Sequence, residues 1–227
     1  MKKLFCLFIL VPIILIQPGY GQEKPAASEY KGGIPAVSLF ISADYFSPKF
    51  TDVNAVFNTI ERNYSLPAGK DFKDYYNVLV GIRFAPVMQQ SIQVEFGGSV
   101  IRSRSSGLLG ADRSSDFLQM YYTGGTYLFS APVGPINFFL GAGLGYDWLR
   151  AQRSYSVQPG VARVNAGLTQ LHGLGGFEYI NRTGVTITLE AGYSYATTLF
   201  SQRSDIDFTL KGVSGGIKVG VPLVKVF

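Results

Sequence analysis

The side chains of this sequence that could do chemistry are few. Asp44, Arg83, Glu95, Asp147, Glu178, Glu190 and Lys218 each interrupt an otherwise uncharged stretch, and so does His172, the one histidine. Carboxylates set against a lysine and an arginine can form buried ion pairs, and the same groups in file could relay protons or pass ions. Hydrolytic chemistry is poorly provided for. A nucleophile needs a base within hydrogen-bond reach, yet His172 is followed by Gly173 and Leu174 with no serine close in sequence. One histidine and one cysteine, Cys6, give no metal-ligand spacing. Gly173, Gly175 and Gly176 sit in a stretch of strand character, where glycine marks a bend or a tight interior rather than a phosphate-cradling loop. The expectation is no enzyme activity, no cofactor and no metal.

Those charges need elements to hold them, and one kind recurs. Strand character appears in eight segments: Ala36 to Phe46, Tyr76 to Ala85, Ser91 to Arg102, Phe117 to Ser130, Ile136 to Leu149, Asn165 to Ile180, Val185 to Ala196 and Ile206 to Val221. Each reaches the ~9 to 11 residues, or slightly more, that a tilted strand needs to cross a bilayer. In the fifth, Phe138, Leu140, Ala142, Leu144, Tyr146 and Trp148 share one face, opposite Asn137, Gly141, Gly143, Gly145 and Asp147. The seventh sets Val185, Ile187, Leu189, Ala191, Tyr193 and Tyr195 against Thr186, Thr188, Glu190, Gly192 and Ser194. The fourth is apolar on both parities and stays ambiguous.

Alternation alone does not say which face is outside, because a water-soluble, lipocalin-like barrel alternates too. Three features point the apolar face toward lipid. The chain is 47% hydrophobic and 15% charged, against the ~25% charged of soluble domains, and its polar faces carry glycine and serine rather than many lysines and glutamates. Connections alternate in length: Pro86 to Gln90, Ala131 to Pro135 and Asn181 to Gly184 are tight, whereas Ser47 to Tyr75, Ser103 to Asp116, Arg150 to Val164 and Thr197 to Asp205 are long. Aromatics gather at segment ends, Tyr45, Tyr75, Tyr76, Trp148, Tyr193 and Tyr195 near the long connections and Phe84, Phe138, Phe177 and Tyr179 near the short ones.

With the apolar parity outward, all eight ionisable residues fall inside; a charge on the lipid face at mid-depth would cost ~2 to 4 kcal/mol. Arg83, Glu95 and Glu178 lie close to the tight connections, with Glu190 and Lys218 a few residues deeper. The expectation is a salt-bridge network in that half of the lumen, Arg83 and Lys218 facing Glu95, Glu178 and Glu190. Such a network fills and specifies the interior; an ion or proton pathway through the same residues is the rival reading.

The first 21 residues read as a signal peptide: Lys2 and Lys3, then an uncharged apolar run from Leu4 to Ile16, then small Gly19 and Gly21 before Gln22. Cys6 leaves with it, so the mature chain has no thiol chemistry. Residues 22–35 read as a flexible periplasmic lead-in rich in Pro, Ala, Gly and Lys, and residues 36–227 as the barrel. The formal charge of +5, part of it from Lys2 and Lys3, is too mild to argue for nucleic acid.

Within the first long connection, Val53, Val56, Phe57, Ile60 and Tyr64 recur at helical spacing from Thr51 to Tyr64; Thr51 or Asp52 could cap the start, and Ser65, Leu66 and Pro67 end it. Its apolar face could cover the barrel mouth, lie in the membrane interface or dock a partner. Around the long connections sit Arg102, Arg104, Arg113, Arg150, Arg153, Arg163 and Arg203, with Asp112, Asp116, Asp205 and Asp207 interspersed. These read as solvated rim charges, with contact to lipopolysaccharide phosphates as the alternative.

The last strand runs from Gly220 through Val221, Leu223 and Val226 to Phe227. A terminal phenylalanine closing an alternating apolar strand resembles the signal by which the barrel-assembly machinery recognises outer-membrane barrels. The chain beyond the leader is similar to the outer-membrane β-barrel domain of Bacteroidota, akin to the OmpA/OmpX-type small barrels, and Gln22 at the mature start resembles exported proteins of that group. The resemblance implies an all-β, eight-stranded antiparallel transmembrane barrel with periplasmic termini, whose partners are outer-membrane lipids, including lipopolysaccharide, and the assembly machinery. It also implies a structural or interaction role at the envelope, with an envelope protein as one conceivable partner. A narrow pore or carrier for small solutes is the first rival and a lipid-modifying enzyme the second. Lipid A deacylase barrels carry a histidine and serine on their outer surface, from which the inward parity of His172 departs.

Overall fold

Side chains of alternating character along a strand can bury only one face, and a sheet that closes on itself gives every strand a partner. The computed structural model describes residues 36–66, 68–69, 71–87, 89–106, 113–155, 161–201 and 207–224. The leader, the lead-in, Arg203 and Phe227 lie outside the described residues. Among those described, the elements are β1 (Val37–Pro48), α1 (Thr51–Asn63), β2 (Tyr75–Val87), β3 (Gln90–Ser106), β4 (Arg113–Val133), β5 (Ile136–Tyr155), β6 (Val161–Ile180), β7 (Thr186–Ser201) and β8 (Thr209–Val224). Each strand pairs antiparallel with its sequence neighbours and β1 closes on β8, a closed up-and-down barrel of eight strands. At one end are the short turns, the start of β1 and the finish of β8; at the other are the long connections and α1.

The barrel is inverted relative to a soluble one. Leu39, Ile41, Val80, Ile82, Val94, Phe96, Leu140, Leu144, Ile187, Leu189, Ile217 and Val219 are exposed on the outside, while Ser38, Ser42, Gln93, Thr126, Asn137 and Thr188 are buried inside. The outward run on β5 from Ile136 to Trp148 covers about 30 Å along the barrel axis at ordinary strand rise and tilt. That matches the hydrocarbon thickness of a bilayer, also about 30 Å. Trp148, Tyr121, Tyr76, Tyr45, Tyr193 and Tyr195 ring its loop end, and Phe84, Phe138, Phe177 and Tyr179 its turn end, all exposed.

Several boundaries and orientations differ from those expected. β3 to β6 run farther toward the loop end than the apolar alternation, with β3–β4 pairing out to Ser106 opposite Arg113 and β5–β6 to Ser154 opposite Val161. On β3 and β4 both faces have turned polar in sequence there. On β5 and β6 the inner positions Ala151 and Val164 stay in the apolar cluster, but the outward positions become Arg150, Gln152 and Arg163, so the outward apolar run that marks a strand has ended. Arg102, Arg104, Arg113, Arg150 and Arg163 therefore stand on paired strands rather than in loops. Tyr75 is an interior residue, 2% exposed and edge-on to Phe46; adjacent strand residues face opposite ways, so only Tyr76 joins the outer girdle. β4, ambiguous by sequence, points Leu118, Met120, Tyr122 and Leu128 inward.

The helix ends at Asn63, and its cap is Tyr64 rather than an additional apolar turn. Ser65 takes a left-handed φ of 51°. Ser65 N–H then bonds the Arg62 carbonyl and Leu66 N–H the Glu61 carbonyl, closing the last turn as a Schellman motif does. Tyr64 thus points to solvent, 65% exposed, and is not part of the apolar face. Neither Thr51 nor Asp52 caps the start: the N-cap is Phe50, with no side-chain cap bond. Asp52 instead accepts from the Thr209 backbone N–H at 2.9 Å, tying the first turn to β8. Asn54 exchanges two hydrogen bonds with the backbone of Phe72 on the returning segment.

The inner face of α1 fills the barrel mouth. Val53, Val56 and Phe57 are buried in one cluster with Phe50, Phe72, Phe208, Leu118, Met120, Leu149, Leu168 and Leu210, and Ile60 packs against its edge. Phe57→Ala should destabilise this docking by about 3 kcal/mol or more, seen as faster amide hydrogen exchange in α1 and residues 71–74 with β-strand exchange unchanged. Tyr64→Ala should leave both alone; equal protection of α1 in the two variants would contradict this packing.

Candidate functional site

The interior is layered along the barrel axis, and strand parity decides what each layer contains. Nearest the short turns, Arg83 on β2 pairs with Glu178 on β6 at 2.6 Å across the lumen. Its Nε donates to Ser91 Oγ at 3.0 Å. Asn137 donates to the other Glu178 oxygen at 3.2 Å and Thr188 approaches the first at 3.4 Å. A carboxylate taken out of water needs this many donors to offset its desolvation.

One step deeper, Lys218 on β8 reaches Glu95 at 3.2 Å, Glu190 at 3.1 Å and the Gln93 amide oxygen at 3.2 Å. Its ammonium also lies 5.0 Å from the centre of the Phe40 ring, which closes the remaining side. The structure thus holds the five residues in two separate ionic clusters, Arg83 with Glu178 and Lys218 with Glu95 and Glu190. Asp44, Asp147 and His172 also face inward but join neither by hydrogen bond. Ser42 donates to Asp44 Oδ2 at 2.9 Å. Thr126 Oγ1 and His172 Nε2 share a hydrogen at 2.7 Å.

The loop end holds a third ionic cluster, made of residues outside the expected network. Arg153 on β5, 1% exposed, donates to Glu61 of α1 at 2.6 Å and to Asp116 of β4 at 2.7 Å. The same Glu61 oxygen accepts from Tyr155 OH at 3.0 Å and from the Gly69 backbone N–H at 3.1 Å. The guanidinium carbon sits 5.0 Å from the Phe57 ring centre and 5.5 Å from that of Phe72. A Cβ added at Gly69 would collide with it, so the returning loop passes flat over the charge. The reading of Arg153 and Asp116 as solvated rim charges is therefore corrected: both are buried, and they bolt the helix to the wall. Two sequence signals carry this. Arg153 has the inward parity of Asp147, and Glu61 lies four and eight residues beyond Phe57 and Val53, on the same helix face.

Burial alone would lower the pKa of Arg153, but hydrogen bonds and charge from Asp116 and Glu61 outweigh it and raise the value. Tyr155 is held well above its ordinary value of 10.0, first by burial and then by its bond to Glu61. Among the described residues no group of His, Cys, Asp and Glu stands close enough to form a metal centre of those residues alone.

Outward of the barrel at the loop end, Arg150 on β5 and Arg163 on β6 flank Gln152. With the amide turned so that its oxygen faces them, it accepts from Arg150 at 2.7 Å and from Arg163 at 2.9 Å. Trp148 lies two residues closer to the apolar belt on the same face.

No protein-family model and no curated protein matches the chain. Among solved structures it is similar to Neisserial surface protein A, with 13% identity over 84% of this chain and 97% of that one, TM-score 0.47. It is similar also to Ail, the attachment invasion locus protein of Yersinia pestis, with 13% identity over 82% and 98%, TM-score 0.48. A third is a major outer membrane protein from Thermus thermophilus, 10% identical over 82% and 97%, TM-score 0.47. The barrel assignment itself stands on the closed ring of hydrogen-bonded strands.

Removing one partner from a buried pair leaves an uncompensated charge, at about 3 to 5 kcal/mol. Glu178→Ala strips Arg83 of its carboxylate, whereas Glu190→Ala leaves Lys218 with Glu95. The first should therefore lower the unfolding midpoint of the detergent-refolded barrel clearly more than the second, and equal losses would mean that the two clusters act as one. For Tyr155 the raised folded pKa fixes the sign. Its contribution is fully present below pH about 10, the unfolded value, and is lost as pH rises through the folded one. Alkaline titration should speed hydrogen exchange in α1 in the wild type and much less in Tyr155→Phe.

Proposed function

We propose that this protein is an integral outer-membrane barrel that does not conduct, with a structural or interaction role at the cell envelope. The observation that carries the reading is the exposed apolar belt, bounded by two aromatic rings, around an interior closed at two levels. Exposing Leu140, Phe96 and their neighbours to water over such an area would be an aggregation hazard for a soluble protein. Facing lipid, the same surface is the natural exterior. The interior closures are the ionic layers of Arg83–Glu178 and Lys218–Glu95–Glu190, and the apolar plug formed by α1.

The orientation follows the barrel rule of short periplasmic and long external connections. It puts both chain ends in the periplasm and α1 on the cell-surface side. Arg150 and Arg163 then stand at headgroup level just beyond Trp148, where phosphates of outer-leaflet lipid, lipopolysaccharide included, would answer their charge. Recognition of Phe227 by the barrel-assembly machinery and kinship with Bacteroidota barrels belong to the same proposal. Enzyme activity finds no support in the arrangement of His172, which points into the lumen and bonds Thr126.

Membranes from cells making the full chain should retain it through carbonate and high-salt washes and release it only into detergent. Release without detergent would overturn the membrane reading. Reconstituted in planar bilayers, the protein should insert without discrete current steps. Steps in the wild type would transfer the assignment to the rival, a narrow pore.

A further inference from the structure

The outer face of the wall at the loop end carries arginine without acid. The carboxylates of β4, β5 and β6 are Asp116, Asp147 and Glu178, and all three are buried on the inner side. Arg150 and Arg163 face outward on neighbouring strands, Arg163 exposed and Arg150 partly so. Neither makes an ion pair among the described residues. Instead, three of their N–H groups meet at one point. With its amide turned as above, Gln152 presents its oxygen to Nη2 and Nε of Arg150, each at 2.7 Å, and to Nε of Arg163 at 2.9 Å. Gln152 stands directly across the strand pair from Arg163, and Arg150 is the next outward position of β5 toward the membrane.

An amide oxygen carries only a partial charge, so this arrangement satisfies the donors but leaves two formal positive charges unbalanced. A guanidinium stays charged at any physiological pH, and its fork matches the oxygens of a phosphate. The point of convergence is where an anionic oxygen would sit, and a glutamine side chain can yield it by rotation. Depth names the source of that anion. Arg150 lies one strand repeat, about 7 Å, beyond Trp148, and an indole of this kind marks the boundary between hydrocarbon and headgroups. Trp148 and Phe200 lie 5.4 Å apart between ring centres, and Tyr146 stacks on Phe200 at 6.4 Å. The rings form an aromatic shelf over Gly167, where a Cβ would collide with Tyr146 and Phe200. An apolar shelf on the membrane side with paired positive charge just beyond it is the order in which a lipid presents its acyl root and its phosphate.

Resting on the membrane reading above, we propose that Arg150, Gln152 and Arg163 form a binding site for an outer-leaflet lipid that carries a phosphomonoester. A phosphomonoester bears a charge of about −1.5 to −2 near neutral pH on three terminal oxygens, whereas a phosphodiester bears a single charge on two. Only the monoester balances both arginines. One of its oxygens takes the point held by the Gln152 amide, the others meet the free edges of the two forks, and the acyl root lies against Trp148 and Phe200.

The test is to insert the full chain into phosphatidylcholine nanodiscs doped with phosphatidic acid, with phosphatidylglycerol of the same acyl chains, or with lipid A. The protein is then released into mild detergent, and the lipid it retains is counted by native mass spectrometry. One phosphatidic acid or lipid A per barrel is expected, with phosphatidylglycerol retained roughly tenfold less or weaker still, hydrogen bonds between charged groups being the stronger kind. Arg150→Gln combined with Arg163→Gln should abolish that preference. Gln152→Glu, which sets a carboxylate at the same point, should abolish it too. Lys211→Gln, exposed at the loop end of β8, should keep it. Should the double variant fail to fold, Arg163→Gln alone, at an exposed position, must weaken the retention. Equal retention of monoesters and diester, or an unchanged preference in the arginine variants, would overturn the proposal. So would displacement of the lipid by excess inorganic phosphate, which would make the ligand a soluble phosphate ester. Those outcomes leave the membrane reading standing, whereas a chain that does not enter nanodiscs at all would bring down both.

Discussion

An apolar exterior leaves the interior as the only place for polar groups, and an eight-stranded barrel is too narrow to hydrate them freely. Each inward polar side chain must find its partner across a lumen only a few side chains wide. That constraint accounts for the interior chemistry. Arg83 crosses from β2 to Glu178 on β6, and Lys218 on β8 reaches Glu95 on β3. Partners on distant strands meet because the sheet is closed, and they would lose each other if one strand slipped by one residue. Such a slip would send Glu178 to the lipid face and Phe177 into the lumen. The ionic layers therefore specify register as much as they stabilise it.

The two ends of the lumen solve the same problem differently. At the turn end the wall itself closes the barrel with charge. At the loop end the wall turns apolar inside as well as outside, with Leu118, Met120, Leu149, Leu168 and Leu210 directed inward. A lumen lined that way and open to water would be unstable, and α1 covers it with Val53, Val56 and Phe57. The helix has no side-chain N-cap and spans only Thr51 to Asn63, too short to be stable alone. Its order comes from the contacts of its inner face, among them the bonds Glu61 makes to Arg153, Tyr155 and Gly69.

What the sequence discloses follows from the same physics. Where one face is greasy and the other polar, as on β5 and β7, alternation shows both the strand and its inward residues, and the closed barrel with its loop helix was legible on that basis. Where both faces are apolar, as on β4, it cannot, because the inward residues there meet the plug and not a polar lumen. Where both are polar, as from Ser103 to Ser106, the strand continues unseen. Arg153, beyond the outward apolar run of β5, and Glu61, on α1, carried no such signal either. Each looked like an ordinary surface charge because its partner comes from a different element, separated by 92 residues, and nothing local to either states the pairing. Parity alone pointed Arg153 inward, and helical spacing alone put Glu61 beside Phe57. Tyr75 and Tyr76 show the converse error, since composition groups them and geometry separates them.

Two closures in series have a consequence that one would lack. The ionic layers are fixed to strands and cannot open without breaking the sheet. The plug is carried on a connection and could in principle lift, but lifting it would expose Arg153, Asp116 and a ring of inward leucines while leaving Arg83, Lys218 and their carboxylates in place below. Opening the mouth would thus create a blind, apolar-rimmed vestibule with an acidic floor at Asp44 and Asp147, not a channel. A protein selected for conduction would gain nothing from a plug over a barrel already sealed beneath it. The arrangement suits the proposed interaction role instead: the helix and its latch hold α1 and the strand extensions around it as one fixed surface at the barrel mouth.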